Sequence, residues 1–335
     1  MEYRRSLMTE VDSRPSDAAA LSRRTFLKRA AAIATVALLD STVTQEHWPA
    51  TPTRLVTLPN SSGEPNYNAW LVAPGYGSVR GQLMARQVRR NDSIPDSAPV
   101  GAFVYGNEVV KMADLSDKAQ RFARQQRLAQ NAGSLSLYCH SMGGIIGLNA
   151  AKAVGLPVRD IILNGSPFDI NDARMSAMAH AAAVTSEATG YRGSIVSKYI
   201  GAIYKRFADH GVDGLGDFVE NFGVAGRQTW NGASPYCLAS QLCILDNNPL
   251  EPTGYDEVLV PGFTRATYCM PHDPEGDQTV FDLQASAKYT DFFAAHDIAM
   301  SITRLPVPAH ANTVDAMEHT GAFLQGRFLN DDSAT

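Results

Sequence analysis

The sequence predicts an α/β fold: a mostly parallel sheet with helices on both faces and an inserted, mostly helical cap. Three observations predict it. Apolar strand-like runs alternate with helical runs at short spacing between residues 68 and 163, and the alternation resumes after residue 260. The strand-like runs are continuously apolar, as expected of strands covered on both faces of a parallel sheet. Residues 135–144 read LSLYCHSMGG, an apolar run that breaks at Ser141 and continues as a helical IIGLNAAK. A serine at such a strand-to-helix turn presents its hydroxyl beyond the carboxyl end of a strand, where ligands bind in open α/β sheets.

A chain of 335 residues allows two domains, although α/β enzymes of this size are often one. Hydrophobic content of 44% and charged content of 19% are ordinary for a soluble globular protein with a full core. No internal repeat is visible.

The first segment reads Ser22-Arg23-Arg24-Thr25-Phe26-Leu27-Lys28, followed by a short apolar stretch over 30–39. It resembles a twin-arginine export signal. The stretch is shorter than the roughly 20 residues that span a bilayer. No cysteine follows it, so no lipid anchor is expected. Thr42-Val43-Thr44 is one small-x-small cleavage site within a window of 40–50. Residues 1–44 are therefore read as a leader and 45–335 as the folded domain. The resemblance implies passage through the twin-arginine export machinery and work in the periplasm or outside the cell.

The leader holds seven of the 29 Lys and Arg and five of the 34 Asp and Glu, leaving 22 and 29 and a net charge of −7. Such a balance gives no bulk attraction for nucleic acid or anionic membranes. Four cysteines are few for a disulfide scaffold. Cys139 and Cys269 sit in strand-like runs as core residues, while Cys237 and Cys243 share a loop-rich stretch and are candidates for a bridge in an oxidising compartment.

Within the domain, Asn68–Ala73 is a strand ending in Pro74-Gly75-Tyr76-Gly77. A helix follows over 81–90, with Leu83, Met84 and Val88 on one side. Residues 99–105 form a second strand. Residues 114–130 form a helix with the stripe Leu115, Ala119, Phe122, Ala123 and Ala129, which Gly133 is placed to end. The strand 135–139 precedes a helix over 142–154, stopped by Gly155 and Pro157, and 158–163 is another strand. From 169 to about 255 the alternation dissolves into alanine-rich pieces such as 175–188, scattered aromatics and glycine-rich turns; this is the cap. Strand 263–270, helix 281–295, strand 298–307 and helix 314–328 complete the domain.

A serine hydroxyl needs a base, a group to orient the base, and N–H donors for the oxyanion. Cys139-His140-Ser141-Met142-Gly143 resembles the nucleophile elbow, G-x-S-x-G, of the α/β-hydrolase family. Asn164-Gly165-Ser166-Pro167 after the next strand also fits, and the likeness covers roughly 66–168 and 260–328. Cys139 stands where the family has its first glycine. The resemblance implies an oxyanion hole from the Tyr76 and Met142 amides, with Pro74 where the family commonly has histidine. It also implies the chain order Ser, acid, His. Two aspartates follow the strand 263–270, Asp273 and Asp277, and Asp277 in Asp277-Gln278-Thr279-Val280 is preferred. His310 after the last strand is the expected base; His296 precedes that strand and His319 lies within the final helix.

No dinucleotide fingerprint, phosphate loop or zinc spacing is present, and His272 with Asp273 and Asp277 is discounted as a cation site. The reading is a serine hydrolase acting on carboxylic esters through Ser141, His310 and Asp277, of lipase or esterase type, with no cofactor and a small-molecule or lipid ester as substrate. A serine acyltransferase and a non-catalytic binding protein of the same fold remain open alternatives.

Overall fold

The computed structural model describes residues 47–60, 62, 66–76, 81–90, 94, 96–174, 176–188, 190–191, 233–277 and 279–305. Seven strands form one sheet: β1 (Arg54–Leu58), β2 (Asn68–Ala73), β3 (Val100–Val104), β4 (Ser134–His140), β5 (Val158–Asn164), β6 (Arg265–Pro271) and β7 (Met300–Leu305). Their order across the sheet is β1-β3-β2-β4-β5-β6-β7. All neighbours are parallel except β1, which pairs antiparallel with β3, Arg54 opposite Val104 and Leu58 opposite Val100. β1 was not anticipated from sequence. Five residues at a sheet edge, none of them fully buried, carry little apolar signal.

Residues two apart share a face, and the central strands are apolar on both faces. Ala69, Leu71 and Ala73 of β2, Leu137 and Cys139 of β4, Ile161 and Leu163 of β5, and Tyr268 and Met270 of β6 enter one core. That core is covered by α2 (Met112–Gln130), α3 (Gly143–Val154) and α6 (Asp282–Ala294). Trp70, Val72, Tyr138, Ile162 and Cys269 point the other way and meet Met84, Ala85 and Val88 of α1 (Gly81–Arg89). Helices thus lie on both faces.

The boundaries depart from expectation at a few residues. Leu83 is exposed, so the buried stripe of α1 is Met84, Ala85 and Val88. Ala129 is exposed, and α2 ends at Asn131 in the left-handed region (φ 56°), two residues before Gly133. Asparagine tolerates that conformation. Gly133 instead gives its N–H to Tyr67 O at 2.9 Å, starting β4.

Between β5 and β6 the described secondary-structure elements are helices. A 3₁₀ turn (Ile170–Asp172) leads to α4 (Ser176–Ala188), and α5 (Pro235–Asn247) follows. Cys237 and Cys243 therefore sit in a helix, not in a loop-rich stretch. Six positions apart they are turned about 240° from one another, and neither is in a disulfide. The Ser234 hydroxyl caps α5 by accepting the Cys237 N–H, with Pro235 at the first helical position. Residues 1–44, the end of the last predicted strand (306–307) and the predicted helix 314–328 lie outside the described residues.

Candidate active site

The site grows from the β4–α3 turn. Ser141 has φ 52°, the left-handed region that non-glycine residues rarely enter. Its N–H is held by Asn164 O at 2.8 Å, and its carbonyl accepts the Gly144 N–H at 3.0 Å. The turn is pinned from both sides. Helix α3 starts at Gly143, so the Met142 N–H stands at a helix start, where amides lack intrahelical acceptors.

The neighbouring glycines are required by close approach. A Cβ on Gly143 would stand 1.9 Å from Ala73 O, so the start of α3 rests directly on the end of β2. A Cβ on Gly75 would stand 2.7 Å from Ser141 Cβ, so the Pro74-Gly75-Tyr76 loop abuts the serine. The departure at Cys139 also finds its explanation. A Cβ on Gly147, one turn into α3, would lie 2.5 Å from Cys139 Sγ. The space that a first elbow glycine would leave open is supplied by Gly147 on the facing helix. Burial pushes the Cys139 thiol pKa up, so it is a neutral core group.

The loop after β2 has its own support. Tyr105, buried just beyond β3, donates its hydroxyl to Pro74 O at 3.0 Å. Burial pushes the Tyr105 hydroxyl well above its ordinary pKa, so it stays a donor. Tyr76 is 45% exposed at the mouth of this loop.

The two acid candidates lie in one loop after β6 and differ sharply. Asp273 is exposed, and its Oδ1 accepts the Glu275 and Gly276 N–H groups at 3.2 Å each, an ordinary turn arrangement. Asp277 is wholly buried, and its Oδ1 accepts the N–H groups of Thr279 at 2.6 Å and Val280 at 3.1 Å. The loop is tied to the segment after β5. Ala173 bridges to Val280, and Arg174 N–H donates to Thr279 O at 3.0 Å. The Arg174 guanidinium lies over the Phe281 ring and donates to Glu275 O at 2.7 Å. Deeper in, Asp172 accepts from Gln284 at 2.8 Å and from Lys288 at 2.7 Å, and Lys288 also reaches Asp169 at 2.7 Å.

Sequence reasoning missed Asp282. It opens α6, where an acid in a first turn reads as a partner of the helix dipole. In the fold it is buried, takes the Tyr268 hydroxyl on Oδ1 at 2.8 Å, and keeps Oδ2 enclosed with no hydrogen-bond donor on it. Burial first, and Asp277 second, push its carboxyl up to about 8. Tyr105 and Gly147 were missed as well, since their roles exist only once β3 and α3 are packed.

The predicted base, His310, lies outside the described residues, as does His319. His296 is buried between α6 and β7, against Tyr255 and Phe292. It precedes β7, whereas Ser141 follows β4, so it stands at the opposite end of a parallel sheet. Among the described residues no His, Cys, Asp and Glu cluster could hold a metal ion. The arrangement offers a strained, pinned serine, a helix-start amide beside it, and a buried carboxyl two strands away at the same end of the sheet.

Residues 97–189 match the sequence profile of a family described as Alpha/beta hydrolase. No curated protein matches the chain. Among solved structures, a thermophilic esterase from Thermogutta terrifontis superposes with a TM-score of 0.51 at 13% identity, over 85% of this chain and 97% of that one. A carboxylesterase structure from the thaumarchaeon Nitrososphaera gargenis gives 0.51 at 12%, over 86% and 100%. The type II thioesterase BorB of the borrelidin biosynthetic cluster gives 0.50 at 13%, over 83% and 95%. At such identities the likeness is one of fold, and the chain has the α/β-hydrolase fold.

Proposed function

We propose that this α/β-hydrolase-fold chain is a serine hydrolase that cleaves carboxylic esters, of esterase or lipase type. The observation that carries the reading is Ser141 itself: a left-handed serine (φ 52°) between a parallel strand and a helix start. That conformation is costly and persists only where the surroundings enforce it. In this reading His310 takes the proton of the Ser141 hydroxyl as its oxygen attacks the acyl carbon. The Met142 and Tyr76 amides receive the oxyanion. Asp277 fixes the tautomer of His310 and stabilises its cation. The alcohol leaves with the proton from His310, and water then releases the acid by the same steps in reverse. The 169–255 insertion shapes the acyl pocket, and the leader sends the protein out through the twin-arginine route.

The experiment is labelling with a fluorophosphonate probe alongside a p-nitrophenyl ester assay. The intact protein should label at Ser141. Ser141→Ala should neither label nor turn over, with a loss of at least about 10³-fold. Turnover retained by Ser141→Ala would sink the assignment. Transfer of the acyl group to an added alcohol in preference to water would identify an acyltransferase, and a protein that neither labels nor turns over would be a binding protein.

A further inference from the structure

Asp277 and Asp282 are five residues apart and both buried; Asp282 Oδ2 is enclosed with no hydrogen-bond donor on it, and Asp277 is the charge that acts on Asp282 most strongly. Two ionised carboxylates have acceptors only, so a hydrogen bond between them requires a proton on one. Their other contacts say which. Asp277 Oδ1 is occupied by two backbone N–H groups, which favour the charged form. Asp282 Oδ1 faces one hydroxyl, that of Tyr268, which Ser166 O also accepts at 3.0 Å. The proton therefore resides on Asp282.

We propose that Asp282 is a positioning residue for Asp277: the buried pair shares one proton, carried by Asp282, whose hydrogen bond holds Asp277 as a singly charged acceptor for the base. This rests on Asp277 being the acid of the triad. The surrounding groups fit a pair that bears one charge. Tyr268 on β6 and Tyr289 on α6 are buried and held neutral, burial pushing both hydroxyls well above the ordinary range. Arg174, from the segment after β5, is the cation that acts on Asp282, and its guanidinium is also committed to the Pro274 and Glu275 carbonyls. Lys288, on α6, is spent on Asp169 and Asp172. Loss of the proton would set two like charges against each other in a buried site and push Asp277 off its position.

The test is the pH profile of kcat/KM with a p-nitrophenyl ester, together with the infrared carbonyl band of a protonated carboxylic acid. In the intact protein kcat/KM should fall above about pH 8, where Asp282 ionises. Asp282→Asn still donates to Asp277 and cannot ionise. It should keep kcat/KM at pH 7 within about threefold, lose the alkaline fall, and lose the infrared band. Asp282→Leu, which donates nothing, should lose about tenfold or more in kcat at pH 7 with little change in KM. An Asp282→Asn protein that keeps the alkaline fall at the same pH, or an intact protein with no band assignable to Asp282, overturns the proposal. Asp277→Asn with full turnover overturns instead the role of Asp277, and the positioning role with it. The band then still reports the shared proton, so the two failures are told apart.

Discussion

The elbow around Ser141 and the acid loop around Asp277 are held by opposite means. At the elbow the constraint is backbone against backbone: Gly143 on Ala73 O, Gly75 on Ser141, and Ser141 N–H on Asn164 O. In the acid loop it is polar reach across the chain. Ala173 pairs with Val280, Arg174 grips the Glu275 carbonyl, and Lys288 joins Asp169 to Asp172. The first kind of constraint leaves a local trace in sequence, because close approach demands glycine. The second leaves none, because its partners are more than 100 residues apart. A rigid elbow beside a stitched loop also assigns different failure modes to the two regions.

Four measurements sharpen that difference, from the largest expected effect to the smallest. Asp277→Asn should lower kcat by about 10³- to 10⁴-fold, while Asp273→Asn, in its exposed turn, should stay within about threefold. Equal effects would remove the distinction between the two carboxyls. Gly143→Ala forces a Cβ into the Ala73 carbonyl, which cannot rotate away, and should cost about 3 kcal/mol in urea unfolding. A protein of unchanged stability would mean that the turn is looser than its geometry.

The pH dependence of stability probes the acid loop alone. Asp282 has its folded pKa raised to about 8, above the ordinary carboxylate value near 4. Between these values the folded state holds a proton that the unfolded chain has lost. Stability should therefore fall as pH rises from about 4 to about 8, by at most about 1.4 kcal/mol per pH unit from this group. Asp282→Asn should remove that slope, and denaturant midpoints of the two proteins across this range measure it. Last, Tyr105→Phe deprives Pro74 O of its buried donor. It should cost about 1 kcal/mol of stability and lower kcat several-fold more than it raises KM. A change in KM alone would detach Tyr105 from the oxyanion loop.

Much of this was legible in residue order. Continuously apolar runs gave the parallel strands, and the break at Ser141 gave the turn, because burial on two faces and a sharp backbone reversal both constrain nearby residues. The antiparallel edge strand β1 escaped because an edge is half exposed and only weakly patterned. Helix α5 escaped because Pro235 and the scattered cysteines read as loop, although Ser234 and Pro235 together are a helix start. The left-handed cap of α2 moved from Gly133 to Asn131 because asparagine pays less than other residues for positive φ.

By itself, then, the sequence determined the layered α/β architecture and the turn that carries Ser141, since the first follows from local periodicity and the second from the glycines that a sharp, closely packed turn demands. Only the tertiary structure decided why Cys139 is tolerated in that turn, since its space is made by Gly147 on a packed helix. It alone separated the buried Asp277 from the exposed Asp273 and brought Asp282 within reach of the former's charge. Burial and the company of a second carboxyl belong to where strands β5 and β6 bring their loops, and no spacing along the chain encodes that meeting.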